Sequence, residues 1–148
     1  MLVVRTTIRQ SDIHGSGVFA AEPIKAGSLV WVYTPRLDAE LQLTRFPDVA
    51  QDFIRHYGNE VSPGFYLLCG DGARYMNHSE QPTITSDGDR NYALRDISVG
   101  EEITCDYREF DIAFEGFSND GRRPMADIPP RGHVDYRRQV SSRNVRQA

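Results

Sequence analysis

Glycine and proline punctuate this chain throughout: Gly15 and Gly17, Pro23, Gly27, Pro35, Pro63 and Gly64, Gly70 and Gly72, Pro82, Gly88 and Gly100. Between these breakers lie short segments rich in β-branched and aromatic residues: LVVRTTI (2–8), GVFA (17–20), SLVWVYT (28–34), GFYLL (64–68), NYALRDI (91–97) and EITCDY (102–107). Each reads as a strand bounded by turns. One region departs from this pattern. From Asp38 to Tyr57, Leu41, Phe46, Val49, Phe53 and Ile54 recur at spacings of three to five. That predicts one or two short helices, with Asp38 or Asp48 as N-cap candidates and Pro47 opening the second. Six short strands with a small helical insert make a mostly β domain of irregular topology.

The length of 148 residues suits one domain with a core of its own. Charge divides the chain in two. Residues 1–117 carry 10 Lys+Arg against 18 Asp+Glu, a net of −8, and residues 118–148 carry 7 Arg against 3 Asp, a net of +4. An acidic body argues against direct nucleic-acid binding, which needs positive charge, and suits a basic partner. The tail, 118–148, is rich in Pro and Arg and poor in large apolar residues, so it is expected to be extended or partly disordered, with one short helix near its end. No apolar run approaches the roughly 20 residues of a membrane span. The first residues, MLVVRTTIRQ, lack the charged and apolar regions of a signal peptide, which points to an intracellular, cytoplasmic protein and leaves the nucleus open. Cys69 and Cys105 lie too far apart for a CxxC zinc site and read as reduced thiols.

Three segments carry chemistry. IHGSGVFAAEPIKAGSLV (13–30) sets Gly15 and Gly17 just before an apolar strand, where glycine lets the backbone approach a ligand closely. RYMNHSEQPT (74–83) packs Asn77 and His78 between Tyr75, Met76 and Pro82. Such polar groups need partners, because an unpaired buried one costs roughly 1–3 kcal/mol. VGEEITCDY (99–107) ends on Tyr107 after two adjacent carboxylates, Glu101 and Glu102. Adjacent strand residues point to opposite faces, so the pair is not a catalytic acid dyad.

In this order, the three segments resemble the GxG, RFxNHSxxPN and GEExxxDY motifs of the SET-domain protein lysine methyltransferases, over about residues 5–112. The resemblance implies a β-clip-like fold of small curved sheets. In it the C-terminal segment tucks under an earlier loop as a pseudoknot and brings the second and third motifs together. It implies transfer of methyl groups from S-adenosylmethionine to the ε-amine of a lysine in a basic protein. By the same resemblance, the backbone of His14, Gly15, Ser16 and Gly17 lines the cofactor pocket. Asn77 holds the amino-acid end of the cofactor, and His78 presents its backbone to the adenine while its ring anchors the pseudoknot. Phe110 or Phe114 covers the adenine. Tyr107 corresponds to the catalytic tyrosine, and Tyr33 and Tyr75 to walls of the lysine channel. Cys105 stands where many members carry Phe or Tyr, a position that tends to set how many methyl groups fit.

Two departures accompany the match. Thr83 replaces the usual Asn after Pro82, and no cysteine follows Ser79 or clusters after Tyr107, so the zinc-bound flap of many relatives is absent. Channel closure then falls to Phe110–Phe117, to the tail or to a second subunit, as in those short relatives that are homodimers. Two other readings stand beside the enzyme: a catalytically silent SET-like module that binds cofactor or basic peptides, and an unrelated β-clip-like domain for a small polar ligand.

Overall fold

The computed structural model describes residues 1–116. The tail and its expected helix lie outside the described residues. Among those residues the chain forms ten short strands: β1 (Thr6–Gln10), β2 (Ser16–Ala20), β3 (Leu29–Val32), β4 (Ala39–Gln42), β5 (Asn59–Ser62), β6 (Phe65–Leu68), β7 (Asn77–His78), β8 (Ile84–Asp87), β9 (Arg90–Ala93) and β10 (Glu102–Cys105). One α-helix, α1 (Asp48–Tyr57), and three 3-10 turns (Leu43–Arg45, Gly72–Tyr75 and Tyr107–Glu109) interrupt them. The strands make three small sheets in the orders β1-β2-β10-β7, β3-β9-β8 and β4-β6-β5. No helix among the described residues is long and apolar enough to cross a membrane.

The main core gathers one or two β-branched residues from each of several elements. Val18, Val30, Ile84, Ile97 and Ile103 are all less than 2% exposed. They come from β2, β3, β8, the loop after β9, and β10, so the first two sheets share one apolar interior. Fully burying such a side chain is worth about 1.5–3 kcal/mol. A smaller cluster of Leu43, Ile54 and Tyr66 seats α1 on the third sheet. Ile103 sits on β10, between β2 and β7. Replacing Ile103→Val should lower stability by about 1 kcal/mol, read as a lower denaturant midpoint at unchanged slope.

Several expected elements shift, each for a tertiary reason. The first strand runs over 6–10 rather than 2–8, because the chain changes sheets: Leu2 bridges Trp31 and Val3 N–H donates to Val30 O, whereas Thr6 onward pairs with β2. The expected strand 91–97 becomes β9, which stops at Ala93. Beyond it Asp96 is taken by Lys25 Nζ (2.7 Å) and the Ala26 N–H (2.9 Å), and Ile97 bridges Ile24. The helical reading of 38–57 is met by a 3-10 turn over Leu43–Arg45 and by α1 from Asp48, but not before Leu43. Asp38 is no helix cap: it is 3% exposed and accepts from Thr34 N–H (2.8 Å) and Gly70 N–H (3.1 Å). Ala39–Gln42 pairs with β6 as β4, and this pairing overrides the weak strand preference of Ala, Glu and Gln. Pro47 rather than Asp48 occupies the N-cap of α1, with no side-chain capping bond.

Candidate active site

The site forms where β7 and β10 run parallel, pairing Asn77 with Thr104 and His78 with Cys105. This is the juxtaposition of the second and third motifs that the resemblance implied. Ser79 N–H donates to Cys105 O (3.0 Å) and extends the contact. Thr83, the departure from the motif, is 3% exposed and ties the same two segments. Its N–H donates to Thr104 O (3.0 Å), and Thr104 N–H donates to Thr83 Oγ1 (2.9 Å).

Asn77 then reaches the first motif. Its buried side-chain amide donates to His14 O (3.1 Å), Ser16 O (3.1 Å) and Glu102 Oε1 (2.8 Å). Two hydrogens serve three acceptors, so one bond is shared. Glu102 also accepts from Ser11 Oγ at 2.9 and 2.8 Å. The two glycines have separate reasons. Gly15 has φ +48°, in the left-handed region. A Cβ on Gly17 would lie 2.2 Å from Glu102 Oε1, so glycine there leaves room for that carboxylate. Glu102 is thus the junction of all three motifs, a role the sequence did not reveal. The available signal was the opposition of faces within the Glu101–Glu102 pair. Glu101 takes the turn role, accepting from Ser98 N–H (2.9 Å) and pairing with Arg95 (2.6 Å), and these contacts hold its carboxyl below the usual range, the Ser98 bond most of all.

Tyr107 leaves the sheet because Asp106 ends β10. Asp106 Oδ1 accepts from Arg108 N–H (3.0 Å) and opens a single 3-10 turn over Tyr107–Glu109. Glu109 fastens that turn to β8, accepting from Thr85 Oγ1 and Ser86 N–H at 2.7 Å each. Tyr107 N–H donates to His78 Nδ1 (3.2 Å), which assigns the His78 proton to Nε2, the donor to Glu80 Oε1 (3.1 Å). The His78 bond and then Arg108 hold the Glu80 carboxyl below its ordinary range. The phenol hydroxyl donates to Met76 O at 2.6 Å. Phe114 packs on His78 (4.7 Å between ring centroids) and edge-on to Tyr107 (5.2 Å), while Phe110 lies 6.0 Å from Tyr107.

A cavity of about 60 Å³ opens beside this cluster, lined by Tyr107, Met76, Cys105 and Phe110 together with Trp31, His56, Tyr57 and Arg74 among others. The His56 ring stands 6.4 Å from the His14 ring, so the glycine turn is a near neighbour. Cys105 is 3% exposed; burial chiefly, then Cys69, Glu109 and Asp106, raise its thiol far above the ordinary value. Burial also pushes Cys69, another lining residue, up to about 12. Both thiols therefore face the cavity neutral. Tyr33 and Tyr75 do not line it. Tyr33 packs against the main core, and Tyr75 stands edge-on to Tyr57 at 5.6 Å. Trp31 and Tyr57 supply aromatic wall to this cavity. Trp31 was findable as the strand residue two before Tyr33 and so on its face; Tyr57 comes from α1 and carried no signal. Trp31 Nε1 and Arg74 Nε are buried without a hydrogen-bond partner among the described residues.

Comparison with known proteins gives a consistent picture. Residues 15–108 match the family model for the SET domain. The chain is 33% identical over 128 residues to an Arabidopsis thaliana histone-lysine N-methyltransferase, ATX2, with 73% of this chain and 11% of that protein covered. It is 30% identical over 113 residues to human histone-lysine N-methyltransferase SETD1B, covering 67% of this chain and 6% of that protein. The chain therefore spans about a tenth or less of the length of these relatives. In fold it resembles a humanized Chaetomium thermophilum Polycomb Repressive Complex 2 bound to an inhibitor, with TM-score 0.55, 19% identity, and 95% of this chain and 21% of that chain covered.

Proposed function

We propose, from the premise that this chain belongs to the SET-domain family, that it transfers methyl groups from S-adenosylmethionine to the ε-amine of lysine in a basic protein. The observation that carries this reading is the Tyr107 hydroxyl, held 2.6 Å from Met76 O in the wall of a cavity beside the Asn77-bound glycine turn.

The residues present suit the cofactor. Residues His14–Ser16 are exposed, and the space beside Gly15 is open. Main chain of residues 14–17, braced by Asn77, would hold the amino-acid end. Phe114 against His78 would face the base, with Phe110 on the cavity side. When bound, the cofactor supplies a methyl group on a positively charged sulfur. The protein's work is then positional. The cavity strips water from the lysine, which favours its neutral amine over the ordinary charged form of pKa about 10.4. With its O–H donated in a hydrogen bond to Met76 O, the Tyr107 oxygen meets the amine as a hydrogen-bond acceptor, so it orients nitrogen rather than serving as base. Well-oriented partners can gain roughly 7–11 kcal/mol this way.

Cys105 lines the cavity as a small neutral side chain and leaves room for more than one methyl group. Cys105→Tyr should restrict the product to fewer methyls; an unchanged distribution of mono-, di- and trimethyl-lysine by mass spectrometry would count against this. A basic substrate fits the −8 charge of residues 1–117. The histone-lysine activity in the names of the relatives makes histone-like proteins the first to try, and an intracellular compartment that includes the nucleus follows.

The test is incubation with labelled cofactor and core histones. Label on lysine supports the enzyme. Cofactor binding by calorimetry with no transfer would favour the silent module, and no binding would favour the unrelated ligand domain.

A further inference from the structure

The cavity has an unusual electrostatic character for its host. Residues 1–117 contain 18 Asp and Glu, yet no carboxylate lines the cavity among the described residues. Its one permanent charge is Arg74, since a guanidinium stays protonated at any working pH. Arg74 makes no ion pair among the described residues, and its Nε is buried without a hydrogen-bond partner. Its Cζ lies over the Tyr75 ring at 5.2 Å from the centroid, a contact that can hold a cation without neutralising it. The lining residue Trp31 adds a second buried N–H without an acceptor. An ammonium brings three donors and a positive charge; a neutral amine brings a lone pair. This wall therefore repels the first and suits the second.

We propose that Arg74 is the residue that keeps the acceptor amine neutral in the cavity, which rests on the methyl-transfer reading above. Like charges at short range disfavour the charged form, and removing water strengthens the effect. Arg74 thus acts before any methyl donor is considered: a lysine gives its proton to bulk water before it settles in the cavity, and only then is its nitrogen nucleophilic. The other titratable groups lining the cavity are His56 and Tyr57 from α1, Cys69 after β6, Cys105 from β10, and Tyr107. The carboxylates behind these walls are engaged elsewhere. Asp38 and Asp71, near Cys69, accept backbone N–H groups. Asp106 and Glu109, near Cys105, are held by Arg108 and by Thr85 with Ser86.

The test is the pH profile of kcat for methyl transfer to core histones at saturating histone and cofactor, since kcat reports the titration of the bound amine. Arg74→Gln should move the acidic limb up by about one pH unit, which is about tenfold lost activity on that limb and recovery at higher pH. Asn91→Asp, which sets a carboxylate in the wall by a nearly isosteric change, should move it in the same direction and keeps the test decisive if Arg74→Gln fails to fold. Arg74→Lys should leave the limb in place. The shift should persist in a His56→Gln background, which excludes the imidazole as its source. An active Arg74→Gln or Asn91→Asp protein whose profile falls uniformly, with the limb unmoved, would overturn the role of Arg74 alone. A wild type that transfers no methyl group at any pH would overturn it together with the reading on which it rests.

Discussion

Replacing Tyr107→Phe should slow methyl transfer by about 10²- to 10³-fold while leaving cofactor binding within about threefold of wild type. The ring is anchored independently of the hydroxyl. It packs against His78, Phe110 and Phe114, and its backbone N–H is bound to His78 Nδ1. Phenylalanine keeps all of these contacts. What is lost is a single oxygen whose orientation is set by Met76 O at 2.6 Å. Leaving that carbonyl without its donor should lower stability by only about 1 kcal/mol, far less than the loss in rate. Single-turnover kinetics at saturating cofactor, set beside calorimetry, separates the two effects. A variant within threefold of wild type in rate would remove Tyr107 from the mechanism.

Asn77→Asp should be the most destabilising of these substitutions. The change is nearly isosteric, but it exchanges an amide that donates to three oxygens for another acceptor. The side chain would then face His14 O, Ser16 O and the Glu102 carboxylate, which now accepts from Asn77 at 2.8 Å. A buried like-charge pair in place of a buried hydrogen bond should cost about 3 kcal/mol, a fall in Tm of about 10 °C for a domain of this size. Because the same amide braces the glycine turn, cofactor affinity should fall more than tenfold in molecules that remain folded. Asn77→Ala, which removes the bond without adding charge, should lose about half as much stability. Equal losses for the two variants, by thermal unfolding, would show that the Glu102 carboxylate is not what Asn77 faces.

The elements that were legible share a local cause. GVFA and GFYLL were readable because β-branched and aromatic residues sit between glycine or proline breakers, and both segments fall within or overlap β2 and β6. The strands that were missed, Ala39–Gln42, Asn59–Ser62, Asn77–His78 and Ile84–Asp87, are short and mostly polar, and pairing with a neighbour supplies what their composition does not. EITCDY was read as a strand through Tyr107 because nothing in its spacing marks the stop at Cys105. The stop comes from Asp106 folding back on Arg108. That local turn lifts Tyr107 off the sheet edge and over Met76 O.

The chemical inventory is written along the chain: a glycine turn, an Asn-His pair and a terminal tyrosine, in an order that marks the family. Residue identity and local spacing suffice for that. Which groups meet is set by the fold: Glu102 as the junction under Gly17, Thr83 as the tie to Thr104, Trp31 and Tyr57 in the cavity wall, and Arg74 as the one fixed charge of that wall among the described residues. The reason is physical. These contacts join segments up to ninety residues apart, and their geometry depends on strand register and on the parallel pairing of β7 with β10, which no local preference encodes.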